Sequence, residues 1–114
     1  MQQRYRLKRP DDFARLRREG KVVRHPMLLL SHAPNDQGYN RYGFVTSKHI
    51  GKAVQRNRVR RLLRETVRKL HPQLKPGFDV VIVAREQSVE QPLAVVERTV
   101  VEMFRRSGLL NEQG

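Results

Sequence analysis

The chain has 114 residues, no cysteine, and 24 Lys+Arg against 11 Asp+Glu, a formal net charge of +13. That length carries one domain, residues 1–114, with a single modest core, and the missing thiols exclude a disulfide framework or a thiolate metal site and fit a reducing, cytoplasmic setting. The charge excess opposes compaction by self-repulsion and calls for a polyanionic partner, a nucleic acid first of all, while the 38% hydrophobic content excludes wholesale disorder.

Residues 1–9, MQQRYRLKR, read as a basic, flexible arm without the apolar run of a signal peptide. Pro10, Asp11 and Asp12 suit a helix N-terminus, where a missing amide proton and negative charge are both tolerated. Arg15, Arg17 and Arg18 suit the other end, and Gly20 the stop. Phe13 and Leu16 are the apolar contacts of this helix of about two to three turns. Residues 21–23 begin a strand that Pro26 interrupts. Residues 27–32, MLLLSH, read as a buried strand, and PNDQGYN at 34–40 is turn chemistry throughout. Residues 42–46 form the next strand, so the two strands around the loop predict an antiparallel hairpin.

The stretch 47–70, SKHIGKAVQRNRVRRLLRETVRKL, dominates the chain. Val59, Leu62, Leu63, Thr66, Val67 and Leu70 recur at the spacing of one buried helix face. Arg60, Arg61, Arg64 and Arg68 fall on the opposite side, with Arg56 at the edge, and Glu65 is the only acid between Lys52 and Lys69. A face that merely keeps a protein soluble mixes Lys with Glu. This one predicts a helix that packs on a core and turns a guanidinium surface to a polyanion. His71-Pro72 ends it, and Lys75-Pro76-Gly77 is a turn. Residues 78–84, FDVVIVA, are the strongest strand and are read as central. No apolar run is long enough to span a bilayer, so no membrane partner is expected. A last helix covers residues 91–106, with Leu93, Val96, Val100, Met103 and Phe104 inward and Gly108 as the stop. The order α-β-β-β-α-β-α predicts an α/β (α+β) two-layer sandwich on a four-stranded sheet. The residues carry no signal for the hand of the strand–helix–strand crossover, and the general preference is right-handed.

Catalytic groups are sparse. Gly51-Lys52 fails as a phosphate loop, because Thr46 stands where the first glycine belongs and Ala53 where Ser or Thr belongs. His25, His32, His49 and His71 form no metal-ligand pair, and Asp11, Asp12, Asp36 and Asp79 are scattered. A two-histidine nuclease using His32 and His49 with Lys48 is the weaker reading, and His71 suits a helix-end cation. Phe44, Phe78 and Phe104 read as core; Phe13 is open between core packing and stacking on a base. Asn57 is open between a helix-start cap and a contact to a base edge or 2′-hydroxyl.

The string SKHIGKAVQRNRVRRLLRE closely resembles the signature of the bacterial ribonuclease P protein subunit, K-x-x-G-x-A-V-x-R-N-R-x-[KR]-R-x-x-R, with Arg56-Asn57-Arg58 as its central element. RLKRPDDFARLRREGK, RYGFVTSK and FDVVIVAR agree with that family's opening helix, third strand and last strand, so the resemblance covers about residues 4–106. It implies a left-handed crossover through the basic helix. It implies a bacterial cytoplasmic subunit that binds ribonuclease P RNA and the 5′ leader of precursor tRNA, while the RNA, using Mg2+, removes the leader. No protein partner, no protein-held metal and no protein catalytic residue are expected. By resemblance Lys48, Lys52, Arg56, Asn57, Arg58, Arg60, Arg61, Arg64 and Arg68 contact RNA, and Phe13, Arg17 and Leu30 line the leader groove. Arg17 and Leu30 stand where some members carry aromatics, which implies weaker stacking here, with arginine planes substituting. A general or ribosomal RNA-binding protein is the alternative, to be told apart by whether binding depends on the leader.

Overall fold

A computed structural model describes residues 3–111. Its elements are α1 (Pro10–Glu19), β1 (Lys21–Arg24), β2 (Leu28–Pro34), β3 (Arg41–Val45), α2 (Ala53–Leu70), β4 (Phe78–Ala84) and α3 (Leu93–Ser107), with 3-10 turns between several of them. The four strands form one mixed sheet in the order β1-β2-β4-β3. β1 and β2 make an antiparallel hairpin, β2 pairs antiparallel with β4, and β3 pairs parallel with β4.

The hairpin expected between β2 and β3 therefore does not form. β4 lies between them, pairing Leu30 with Ile82 on one side and Phe44 with Ile82 on the other. FDVVIVA is apolar on both faces and can only be satisfied in the middle of a covered sheet. It displaces the local pairing, and α2 becomes the crossover between two parallel strands.

Helices cover both faces. Leu28, Leu30, Tyr42, Val80, Ile82 and Ala84 meet Val59, Leu63 and Val67 of α2 and Val96, Val100, Met103 and Phe104 of α3 in the larger core cluster. On the reverse face Ala33 and Val81 join Leu7 and Leu16, with Phe13, Val45 and Val83 packed against them. The period-2 alternation of β2 and β4 sorts the two sets. Each fully buried aliphatic side chain contributes about 1.5–3 kcal/mol, so α2 is held by its apolar stripe while its other side stays free for charge. Leu62 is only partly buried at the edge of that stripe.

The ends of the helices follow their local chemistry. Pro10, Asp11 and Asp12 occupy the first turn of α1, and Gly20 N–H closes on Leu16 O at 2.9 Å. α2 starts with Lys52 as the N-cap, whose N–H donates to Gln55 Oε1 at 2.9 Å. Asn57 lies a full turn inside the helix, so the capping reading of that residue is excluded. α3 ends on Gly108 at φ 81°, in the left-handed region where glycine carries no Cβ penalty. Residues 1 and 2 of the expected arm lie outside the described residues. The rest of it is docked: Arg6 bridges Tyr42 of β3, and Leu7 N–H donates to Tyr42 O at 2.7 Å with its side chain buried.

Candidate nucleic-acid interface

The lead-in, α1, β3 and α2 enclose a cleft of about 420 Å³. Its floor is Tyr42, Gly43 and Phe44 of β3. Leu7 and Phe13 stand on one side and Arg60 and Arg64 of α2 on the other, with Arg6 from the lead-in. An aromatic ring and two guanidinium groups thus line one cleft, the combination that holds a single nucleic-acid strand by stacking and by phosphate contacts.

Phe13 lies against the backbone of β3. A Cβ on Gly43 would stand 2.8 Å from Phe13 Cζ and 2.9 Å from Cε1. Only the absence of a side chain lets the ring lie there. The ring packs on the smaller core cluster, as the core reading required, and also lines the cleft. Gly43→Ala must push the ring aside; it is expected to cost about 1–3 kcal/mol, read in a urea unfolding midpoint.

Arg60 is positioned rather than loose. Its Nη2 donates to Thr46 Oγ1, and its Nη1 reaches Asn57 Oδ1 at 3.4 Å. Arg56, one turn earlier, is half-buried, with its Nε closed off and without an acceptor in the protein. The i, i+4 series Arg56, Arg60, Arg64 forms one ridge along the helix. Asn57, Arg58, Arg61, Arg68, Lys48 and Lys52 are exposed. Arg68 is partly neutralised by Glu65 at 2.8 Å, and the hydrogen bond from Arg68 holds the Glu65 carboxyl below its ordinary range.

The structure does not gather all the expected residues on one surface. Arg58 lies on the other flank of α2, where it lines a small recess with Gln55, Val59, Ser88, Val89 and Leu93. Arg17 is exposed one turn beyond Phe13 on α1 and is not among the residues lining the cleft. Leu30 is corrected: its side chain is 0% exposed and points into the larger core under α2 and α3. A strand alternates its faces, so it is the neighbours Leu29 and Ser31, both half-buried, that face the α1 side.

His71 is not the helix-end cation expected. Burial, then the charge of Arg4, pushes its imidazole below the ordinary value, and Nδ1 lies 2.8 Å from the Tyr42 hydroxyl. Burial pushes the Tyr42 phenol up to about 12. His32 is likewise lowered, by burial and then Lys21. Among the described residues no three His, Cys, Asp or Glu side chains gather to hold a metal ion.

The sequence reading missed Arg6, Tyr42, Gly43 and Phe44 as cleft residues, and Asp79 as the tie that holds the cleft's elements together. Asp79 carried a signal: a carboxylate inside an otherwise apolar strand must find buried partners. It accepts from Arg15 Nη2 at 2.6 Å, Arg41 Nε and Nη2 at 2.8 Å each, and Asn35 Nδ2 at 2.9 Å.

The family model for Ribonuclease P matches residues 1–108. The chain belongs to the ribonuclease P protein family. The ribonuclease P protein component of Roseiflexus sp. (strain RS-1) is 42% identical over 111 residues, covering 96% of this chain and 91% of that one. The ribonuclease P protein of Staphylococcus aureus superposes with a TM-score of 0.84 at 25% identity, over 94% of this chain and 98% of that one. The Thermotoga maritima ribonuclease P protein gives 0.80 at 26%, over 96% and 98%. The α+β architecture, a four-stranded mixed sheet with three helices, is thus that of ribonuclease P proteins, subunits of an endoribonuclease of tRNA processing.

Proposed function

We propose that this chain binds the ribonuclease P RNA and the 5′ leader of precursor tRNA, with the leader in the cleft between Phe13 and the Arg60–Arg64 ridge. The observation that carries the reading is that cleft, which an aromatic ring, two guanidinium groups of α2 and the strand β3 line together. Arginine forks match phosphate oxygens in bidentate fashion and stay charged. The Phe13 face offers stacking of about 1–3 kcal/mol to any base. A net charge of +13 offsets repulsion when two RNAs are brought together.

The bond-breaking belongs to the RNA subunit and its Mg2+ in this reading. Two carboxylates near the cleft are already engaged by the protein itself: Asp79 by Arg15, Arg41 and Asn35, and Asp12 by Arg41 at 3.6 Å. Among the described residues that line the cleft there is no histidine to serve as a general base, and His71 is engaged by Tyr42. A bacterial, cytoplasmic setting goes with this role.

The test is reconstitution with a bacterial ribonuclease P RNA at low Mg2+, scored for release of the 5′ leader. Leader release is expected from the mixture and from neither component alone. Cleavage by the purified protein, or failure to rescue the RNA, overturns the proposal. Equal affinity for precursor and mature tRNA would point instead to a general RNA-binding protein.

A further inference from the structure

The Tyr42 hydroxyl lies 2.8 Å from His71 Nδ1, and the Tyr5 ring packs on His71 at 4.6 Å between centroids. Arg6, the neighbour of Tyr5, lines the cleft itself. Beyond Tyr5 stands Tyr39, in a T-shaped contact with it at 5.7 Å and 78°. The Arg4 guanidinium lies 4.9 Å from the centroid of Tyr5 and 5.7 Å from that of Tyr39. Arg4, Tyr5, Tyr39 and His71 thus form a cationic aromatic cluster next to the lead-in that supplies Arg6 to the cleft.

The two tyrosines are placed differently. Tyr5 packs on the larger core and anchors the lead-in. Tyr39 sits in the polar loop between β2 and β3, half-exposed, with its backbone carbonyl fixed by Asn35 Nδ2 at 3.1 Å. Its loop residues Asp36, Gln37 and Gly38 are all exposed and offer no core to pack on. Tyr39 is therefore a half-exposed ring on a fixed stem, beside a guanidinium and against the lead-in that supplies Arg6 to the cleft.

We propose that Tyr39, with Arg4 beside it, is a second stacking site that takes one unpaired base of an RNA strand leaving the cleft past Arg6. The inference rests on the reading of the cleft as an RNA groove and extends it by one nucleotide-binding position. Tyr39 supplies the π-face, and Arg4 moves from the ring to the adjoining phosphate. Tyr5 is a positioning residue that holds both. Stacking on a ring tolerates any base, so this site adds affinity without sequence preference.

The test uses the full chain and a fluorescent single-stranded oligoribonucleotide of about ten nucleotides, with binding titrated across monovalent salt. Tyr39→Ala is expected to weaken binding about 5- to 160-fold at an unchanged log–log salt slope, because no phosphate contact is lost. Tyr39→Phe should bind like the wild type, and Tyr39→Leu like the alanine variant. An abasic residue placed along the oligonucleotide should weaken wild-type binding at one position and leave Tyr39→Ala binding unaffected there. Wild-type affinity in Tyr39→Ala, while Arg60→Ala/Arg64→Ala binds weakly, overturns this inference alone. Wild-type affinity in both overturns the RNA-groove reading on which it stands. Equal abasic effects in the wild type and Tyr39→Ala, with a lowered melting temperature for the variant, would reduce Tyr39 to a structural residue and overturn the proposal.

Discussion

Replacing Asp79 by alanine will cost about 2–4 kcal/mol of folding stability at neutral pH, read as a lower urea midpoint at unchanged m. Asp79 is 0% exposed and accepts hydrogen bonds from α1 through Arg15, from the loop before β3 through Asn35, and from β3 through Arg41. Removing it leaves two guanidinium groups side by side, with side-chain exposures of 26% and 19%; Arg41 keeps the longer Asp12 contact, and Arg15 keeps the Pro34 carbonyl at 3.2 Å and Glu19 at 3.9 Å. Their partial access to water keeps the loss below that of a wholly buried pair. Burial raises the Asp79 carboxyl, but the hydrogen bonds from Arg41 and Asn35, the Arg41 charge and the Arg15 bond outweigh it and hold the carboxyl below its ordinary value. A lowered folded-state value means the stabilisation is complete above the unfolded carboxylate pKa, near 4. It is lost as pH falls through the folded-state value. The wild-type midpoint should therefore fall on acidification below about pH 4 more steeply than that of Asp79→Ala. Asp79→Asn keeps the shape and removes the charge, so it should lose nearly as much. A midpoint equal to wild type at pH 7 would remove Asp79 from its place as the tie between Phe13's helix and the cleft floor.

The two strongest elements were legible because each obeys a single period. The α2 stripe Val59, Leu63, Thr66, Val67, Leu70 is buried as its spacing requires, and β4 spans residues 78–84 at the centre of the sheet. What failed depended on partners distant in sequence. The β2–β3 hairpin was the locally cheapest pairing, but β4 arrives later and satisfies both strands. Leu30 was placed in the groove by resemblance alone, and in a strand a shift of a single residue exchanges the faces. Asp79 looked like one of several scattered acids because Arg15, Asn35 and Arg41 come from three separate elements. The cleft itself is built on Gly43, whose meaning appears only when the Phe13 ring is seen against it. The charge of α2 was readable; its division into a cleft-facing ridge and a flank carrying Arg58 was not, because that division depends on where α3 and the turn before it lie.

Changing Arg60 and Arg64 together to alanine should weaken binding of precursor leader RNA about 30- to 900-fold near 0.1 M salt, with each lost charged contact contributing roughly 1–2 kcal/mol after screening. It should also lower the log–log salt slope by about 1.4–1.8, two phosphates at 0.7–0.9 each. The slope is the sharper measure, because a partly unfolded variant loses affinity at every salt concentration whereas lost phosphate contacts matter less as salt rises. Both side chains line the cleft, so the fold should survive. The expected stability change is about 1 kcal/mol, from stranding the buried Thr46 hydroxyl that Arg60 engages. Arg68→Ala provides the internal comparison. Its guanidinium is already partly neutralised by Glu65 at 2.8 Å, so its removal should flatten the slope by less than one cleft arginine does. Arg58→Ala, on the far flank beside Ser88 and Leu93, should leave the leader's contribution intact even if binding to the ribonuclease P RNA falls. If all four arginines proved interchangeable, the protein would be a diffuse cationic surface with no groove that matters. A slope that drops specifically for Arg60 and Arg64 ties the charge of α2 to the cleft that Phe13 also lines.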